Sequence, residues 1–116
     1  MTANEALSAG QGYLRNGDYS NASKYFKSAA DRGLAEAQYE IALLYKNGAG
    51  VAKSTANAFT YMKSAAEAGF TKAYRELGEM YHGGRGTAKD RTQAEYWYKK
   101  AVDTGDQKAL RILNNM

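Results

Sequence analysis

One histidine and no cysteine in 116 residues leave little with which to build a reactive centre. His82 stands directly before Gly83-Gly84-Arg85-Gly86, a glycine run that superficially resembles a phosphate cradle. A phosphate-binding loop follows a strand and ends in Lys-Ser/Thr. Here the run follows a helical pattern and lacks that ending, and the same loop occurs one period earlier as Asn47-Gly48-Ala49-Gly50. A lone histidine at a helix end reads as a polar groove or cap residue rather than a base. Without cysteine, and with one histidine, no transition-metal cluster can be assembled. No catalytic residue, cofactor or metal site is therefore expected, and the chain does not read as an enzyme.

The chemistry that remains is recognition by charge and shape. Lys72 and Arg75, and again Lys108 and Arg111, are spaced three apart, so each pair lies on one helix face. An ammonium beside a guanidinium fork can hold a carboxylate or an acidic segment. The net charge of +4 is mild, with both signs interspersed, so clustering matters more than the total.

These side chains are positioned by a repeat. Ala37, Ala73 and Ala109 recur every 36 residues, as do Gly33, Gly69 and Gly105, and Ala22, Ala58 and Ala94. A period of this size marks a stack of units, none of which buries its apolar face alone. Each period divides into two helices joined by a glycine loop. In the middle unit Ala37, Ile41, Leu44 and Tyr45 form one apolar stripe, and Ala58, Tyr61, Met62, Ala65 and Ala66 the next. Ser54 and Asp90 are N-caps one period apart, and Asp18 is their counterpart in a first unit whose loop is four residues shorter. Proline is absent, and Gly33, Gly69 and Gly105 end the second helices as left-handed caps. Gly10, Ala42 and Gly78 share one site on the first helices. Glycine there costs about 1 kcal/mol relative to alanine, which predicts backbone-to-backbone packing within the hairpin. The chain thus reads as one all-α domain over residues 1–116. Its units are about 4–36, 37–72 and 73–106, with a terminal helix at 107–116.

The pattern Ala73-x-x-x-Leu77-Gly78-x-x-Tyr81-x-x-Gly84-x-Gly86, then Asp90-x-x-x-Ala94-x-x-Trp97-x-x-x-Ala101-x-x-x-Gly105, resembles the Sel-one-like repeat (SLR) of the tetratricopeptide-repeat superfamily. The unit from Ala37 to Gly69 matches equally well, and the first unit looks more like an ordinary tetratricopeptide repeat. Val102, Thr87 and Asp106 depart from the pattern, Asp106 replacing the apolar Leu34 and Phe70. The resemblance implies a right-handed α/α superhelix of three antiparallel hairpins plus a terminal helix, used as a scaffold or adaptor that docks other proteins. It carries no catalytic residues to transfer.

In such repeats the first helix of each hairpin lines the concave groove. Helical phase then places Asn4, Leu7, Gln11 and Leu14; Glu36, Tyr39, Leu43 and Lys46; and Lys72, Arg75, Glu79 and His82 on one stripe, with Lys108 and Arg111 on the terminal helix. The stripe is apolar at one end and basic at the other, which suits a peptide carrying apolar and acidic residues. Of the ten tyrosines, Tyr39, Tyr74 and Tyr96 break the repeat and are candidates for contact. The alternatives are a small stand-alone inhibitor or immunity-type protein acting by docking, and single-stranded RNA binding by the basic groove. Self-association through Leu110, Ile112, Leu113 and Met116 of the last helix is a further expectation. No apolar run reaches the ~20 residues of a membrane span. The location is cytoplasmic if Met1 is native, and envelope or periplasmic if a signal peptide has been removed.

Overall fold

Asp18, Ser54 and Asp90 each turn a side-chain oxygen back to the backbone N–H three residues on, at 3.2, 3.1 and 3.0 Å. Each thereby satisfies an orphan donor and starts the second helix of its hairpin. In a computed structural model describing all residues 1–116, seven helices follow. They are α1 (Ala3–Arg15), α2 (Tyr19–Asp31), α3 (Ala35–Asn47), α4 (Thr55–Glu67), α5 (Lys72–Gly83), α6 (Arg91–Asp103) and α7 (Gln107–Asn114). Each packs on its neighbours in sequence, and the stack measures 42 × 26 × 23 Å.

The second helices end alike. Gly33, Gly69 and Gly105 adopt φ of 91°, 90° and 92°. The residue after each glycine donates back to Ala29, Ala65 or Ala101, which closes a Schellman turn. Those closing residues are Leu34, Phe70 and Asp106. Asp106 also caps α7 by accepting from the Ala109 N–H at 3.0 Å. Its departure from the apolar pattern therefore supplies a cap that Leu34 does not.

The site shared by Gly10, Ala42 and Gly78 works differently from the backbone-to-backbone packing expected above. A Cβ at Gly10 would lie 2.6 Å from the Phe26 ring, and one at Gly78 would lie 2.8 Å from the Tyr98 ring. Both rings are among the most deeply buried side chains of the protein. The glycines make room for an aromatic side chain, not for a backbone. In the middle unit the position equivalent to Phe26 and Tyr98 holds the slimmer Met62, and there the site takes Ala42, both fully buried. Helix propensity is given up only where the facing side chain is a ring.

The long loops join one unit to the one before. Tyr13, Tyr45 and Tyr81 each accept, through the backbone carbonyl, the N–H of the following cap residue Asp18, Ser54 or Asp90. The anchor is the same whether the loop is short or long. In the long loops a further glycine lies against the start of the preceding second helix. A Cβ at Gly50 would overlap the Tyr19 carbonyl, and one at Gly86 would overlap the Thr55 carbonyl. The Ser23 hydroxyl adds a 3.3 Å hydrogen bond to the Gly50 carbonyl. The α1–α2 turn, without the four extra residues, makes no such joint.

Tyr61 ties α4 to α2 by donating its hydroxyl to Asp31 Oδ1 at 2.6 Å. Burial first, and then the Asp31 carboxylate, push the Tyr61 phenol up to about 12. Burial, then the Glu79 charge, push Tyr98 up to about 12 as well. Both folded values exceed the unfolded value of about 10, so the stabilisation is complete below pH 10 and is lost as pH rises to 12. The thermal midpoint, followed by circular dichroism, is expected to fall by about 5 °C or more across that window. A Tyr61→Phe/Tyr98→Phe variant should show a flatter profile.

Candidate functional site

Residues of successive first helices meet along the stripe. Gln11 on α1 donates to Glu36 Oε2 on α3 at 3.0 Å. The Tyr39 ring on α3 packs 5.2 Å from Phe70, just ahead of α5. Lys46 on α3 pairs with Glu76 on α5 at 3.1 Å, and Arg75 on α5 pairs with Asp106 at the head of α7 at 3.4 Å. These links join α1, α3, α5 and α7 into one continuous face. Gln11, Leu14, Tyr39, Leu43, Lys46, Arg75 and Glu79 are half-buried on it, while Lys72, His82, Lys108 and Arg111 are exposed. Leu7 is buried, a member of the core formed with Ala6, Phe26 and Ile41.

The charge pattern differs from a simple basic end. Two of the five cations there, Lys46 and Arg75, are held by carboxylates, whereas Lys72, Lys108 and Arg111 have no ion-pair partner. Two half-buried acids, Glu40 and Glu79, also lack one. Burial, then the Glu36 charge, raise the Glu40 carboxyl above its ordinary value. Burial, then Glu76, do the same for Glu79. Lys72 offsets part of this at Glu40, and Arg75, Lys46 and Lys108 do so at Glu79, yet burial outweighs them, so a ligand's donor or cation over these carboxylates would relieve a cost. Glu40 and Glu76 were not among the residues singled out from the sequence. Their signal was present, because the two glutamates lie one 36-residue period apart.

At the C-terminal end, Lys46, Glu76, Glu79 and Arg85 line a cleft of about 440 Å³ between α3 and α5. His82 lies beyond it, its Nδ1 3.3 Å from the Tyr98 hydroxyl. His82, Lys108 and Arg111 share a second depression with Ile112 and Met116. Ile112 and Leu113 of α7, and Met116 just beyond it, pack on the core. Gly84 and Gly86 take left-handed backbone to turn the loop.

Most aromatic faces are already covered. Tyr13 stacks on Tyr25 at 5.5 Å, and Tyr45 on Tyr61 at 6.0 Å. The third unit breaks this pairing. Tyr81 instead meets Phe59 edge-on, and Trp97 meets Tyr74 and Tyr96. Of the three tyrosines that depart from the repeat, Tyr74 is buried, Tyr39 is half-buried and Tyr96 is exposed. Single-stranded nucleic acid binds by stacking on open rings, and the largely exposed aromatics are only Tyr19 and Tyr96. No three His, Asp or Glu side chains converge as metal ligands, and no helix is long and apolar enough to cross a membrane.

A model of the Sel1 repeat matches residues 2–34, 35–70 and 71–106. The crystal structure of a Sel1 repeat protein from Oxalobacter formigenes superposes with a TM-score of 0.88 at 34% identity, covering 98% of this chain and 89% of that one. A protective antigen of uropathogenic Escherichia coli strains, displaying an SLR fold, gives 0.94 at 28% identity over 98% of this chain but 25% of its own. Cysteine-rich protein B of Helicobacter pylori gives 0.73 at 25% identity, covering 79% of this chain and 69% of that one. The DAP3-binding cell death enhancer 1 of Rattus norvegicus is 42% identical over 40 residues. That segment is 34% of this chain, which spans only 8% of the relative. The fold is accordingly the right-handed helical-repeat solenoid of these proteins.

Proposed function

Because the chain belongs to the Sel1 repeat family, whose fold is a generic protein–protein interaction module, we propose that it is a non-catalytic adaptor docking a peptide segment along the face of its first helices. The observation that carries this reading is the joined stripe with its charges outside direct ion pairs. Lys72, Lys108 and Arg111 are free cations at one end, and Leu14, Tyr39 and Leu43 offer partly covered apolar surface at the other. The fitting segment places apolar side chains over α1 and α3 and a carboxylate between α5 and α7. There the exposed Arg111 can present its guanidinium fork. A basic or amide group of the same segment would lie over Glu79 and Glu40.

An array of short peptides of varied charge and hydropathy tests the reading. The wild-type protein is expected to select segments with an acidic end and an apolar end. Lys72→Glu/Lys108→Glu/Arg111→Glu should lose that selection about tenfold or more, since each lost charge-assisted contact is worth ~1.5–3 kcal/mol. These are exposed residues outside the core, so the helical signal and thermal midpoint should stay near wild type. Unchanged selectivity in the triple variant would remove this face from consideration.

A further inference from the structure

On α6, away from the stripe, one ammonium is held by nothing but rings, two on its own helix and one on α5. Lys100 Nζ lies 5.6 Å from the centroid of Tyr74, 5.5 Å from Tyr96 and 5.8 Å from Trp97. It has no carboxylate within ion-pair distance. The Trp97 ring is 5.0 Å from Tyr96 at an interplanar angle of 88° and 5.7 Å from Tyr74 at 37°, so the three rings form walls rather than a stack. They border an open cleft of about 500 Å³, with Glu67 and Gln93 also lining it.

The repeat does not need this arrangement. In the middle unit the equivalent positions hold Gln38 for Tyr74, Thr60 for Tyr96, Tyr61 for Trp97 and Ser64 for Lys100. There the second-helix ring lies flat on its first-helix partner, Tyr45. In the third unit that pairing is given up and Trp97 turns to the other two rings. Three substitutions relative to the middle unit, Tyr74, Tyr96 and Lys100, converge on Trp97, itself a residue of the repeat pattern, and build a receptor for a cation.

We propose that Tyr74, Tyr96 and Trp97 form a cage for an alkylated ammonium group, and that Lys100 is its resident occupant, displaced when the ligand enters. A cation within about 6 Å of a ring centroid is drawn to the ring face, and cages of several rings take quaternary ammonium ligands. A primary ammonium is strongly hydrated, whereas a trimethylated one gives up less water and fills more of the space between the walls. Lys100 is only half-buried on a flexible stem and can swing into solvent. Glu67 supplies a carboxylate in the same cleft. This inference does not depend on the groove of the first helices.

Trp97 is the sole tryptophan, so its fluorescence reports the cage directly. Choline chloride is titrated into the wild type and Lys100→Ala, beside the neutral alcohol in which carbon replaces the quaternary nitrogen. A saturable change with choline is expected in Lys100→Ala, about tenfold weaker in the wild type where Lys100 competes. The neutral alcohol should give none, and adding Tyr96→Ala should abolish the response. No saturable response in Lys100→Ala, or an equal response to the alcohol, overturns the cage. Equal affinity in wild type and Lys100→Ala overturns Lys100 as occupant. If Lys100→Ala loses helical signal, Lys100→Gln is read by the same criteria. Trimethyl-lysine amide and glycerophosphocholine, compared in parallel, distinguish a modified side chain from a lipid headgroup as the source. Equal binding of unmethylated lysine amide counts against the proposal.

Discussion

Gly86→Ala is expected to lower the free energy of unfolding by roughly 2–6 kcal/mol, combining backbone strain with overpacking. Gly86 has φ of 76°, a conformation a Cβ disfavours, and the new Cβ would overlap the Thr55 carbonyl at the start of α4. The obstacle is backbone, so no rotamer change relieves it. The α5–α6 loop would lift off the preceding unit, and Phe59, whose Cβ lies 2.7 Å from the same point, would move with it. Gly50→Ala should behave alike, because it meets the Tyr19 carbonyl at the equivalent joint. The informative comparison is Gly69→Ala. Gly69 also has positive φ, at 90°, but nothing lies within 4 Å of its Cβ position. It should therefore cost only about 1 kcal/mol of conformational strain. Urea unfolding of the three variants would read this directly. Equal losses for Gly86→Ala and Gly69→Ala would mean that the loop is not a joint.

The second large effect concerns Gly78. Alanine there gains about 1 kcal/mol of helix propensity, yet its Cβ would stand 2.8 Å from the Tyr98 ring, which is 1% exposed. Overpacking of a filled core costs about 1–3 kcal/mol, so the net expectation is a loss of up to about 2 kcal/mol. Gly78→Ala combined with Tyr98→Met reproduces the pairing of Ala42 with Met62. The double variant should recover at least half of the deficit incurred by adding the two single changes. Strict additivity in a double-mutant cycle would contradict the ring-for-methyl account.

How far the sequence reveals these features depends on how local their causes are. The caps at Asp18, Ser54 and Asp90 and the turns at Gly33, Gly69 and Gly105 were legible, since each is decided within a few residues. The need for glycine at positions 10 and 78 was visible, but its reason was misread. The cause sits on the other helix, and only comparison of Phe26, Met62 and Tyr98 across units exposes it. Asp106 read only as a departure from the apolar Leu34 and Phe70, whereas its carboxylate both caps α7 and holds Arg75. The pairing of Lys46 with Glu76 was not legible, because it depends on how one unit is offset from the next. The cage around Lys100 lay half in view. Tyr74 and Tyr96 broke the period, but nothing in one dimension placed an ammonium between them and Trp97.

A division of labour follows. Residues that keep the 36-residue period build the stack, and those that break it, or carry charge without a partner, are free to recognise something. The claim with the widest reach is that recognition occurs on the face of the first helices. Its most direct test is quantitative affinity capture with the folded wild-type protein beside Lys72→Glu/Lys108→Glu/Arg111→Glu, both verified by circular dichroism. The account predicts a partner protein retained by the wild type and depleted about tenfold or more from the triple variant. Equal retention of every captured protein by the two would contradict it.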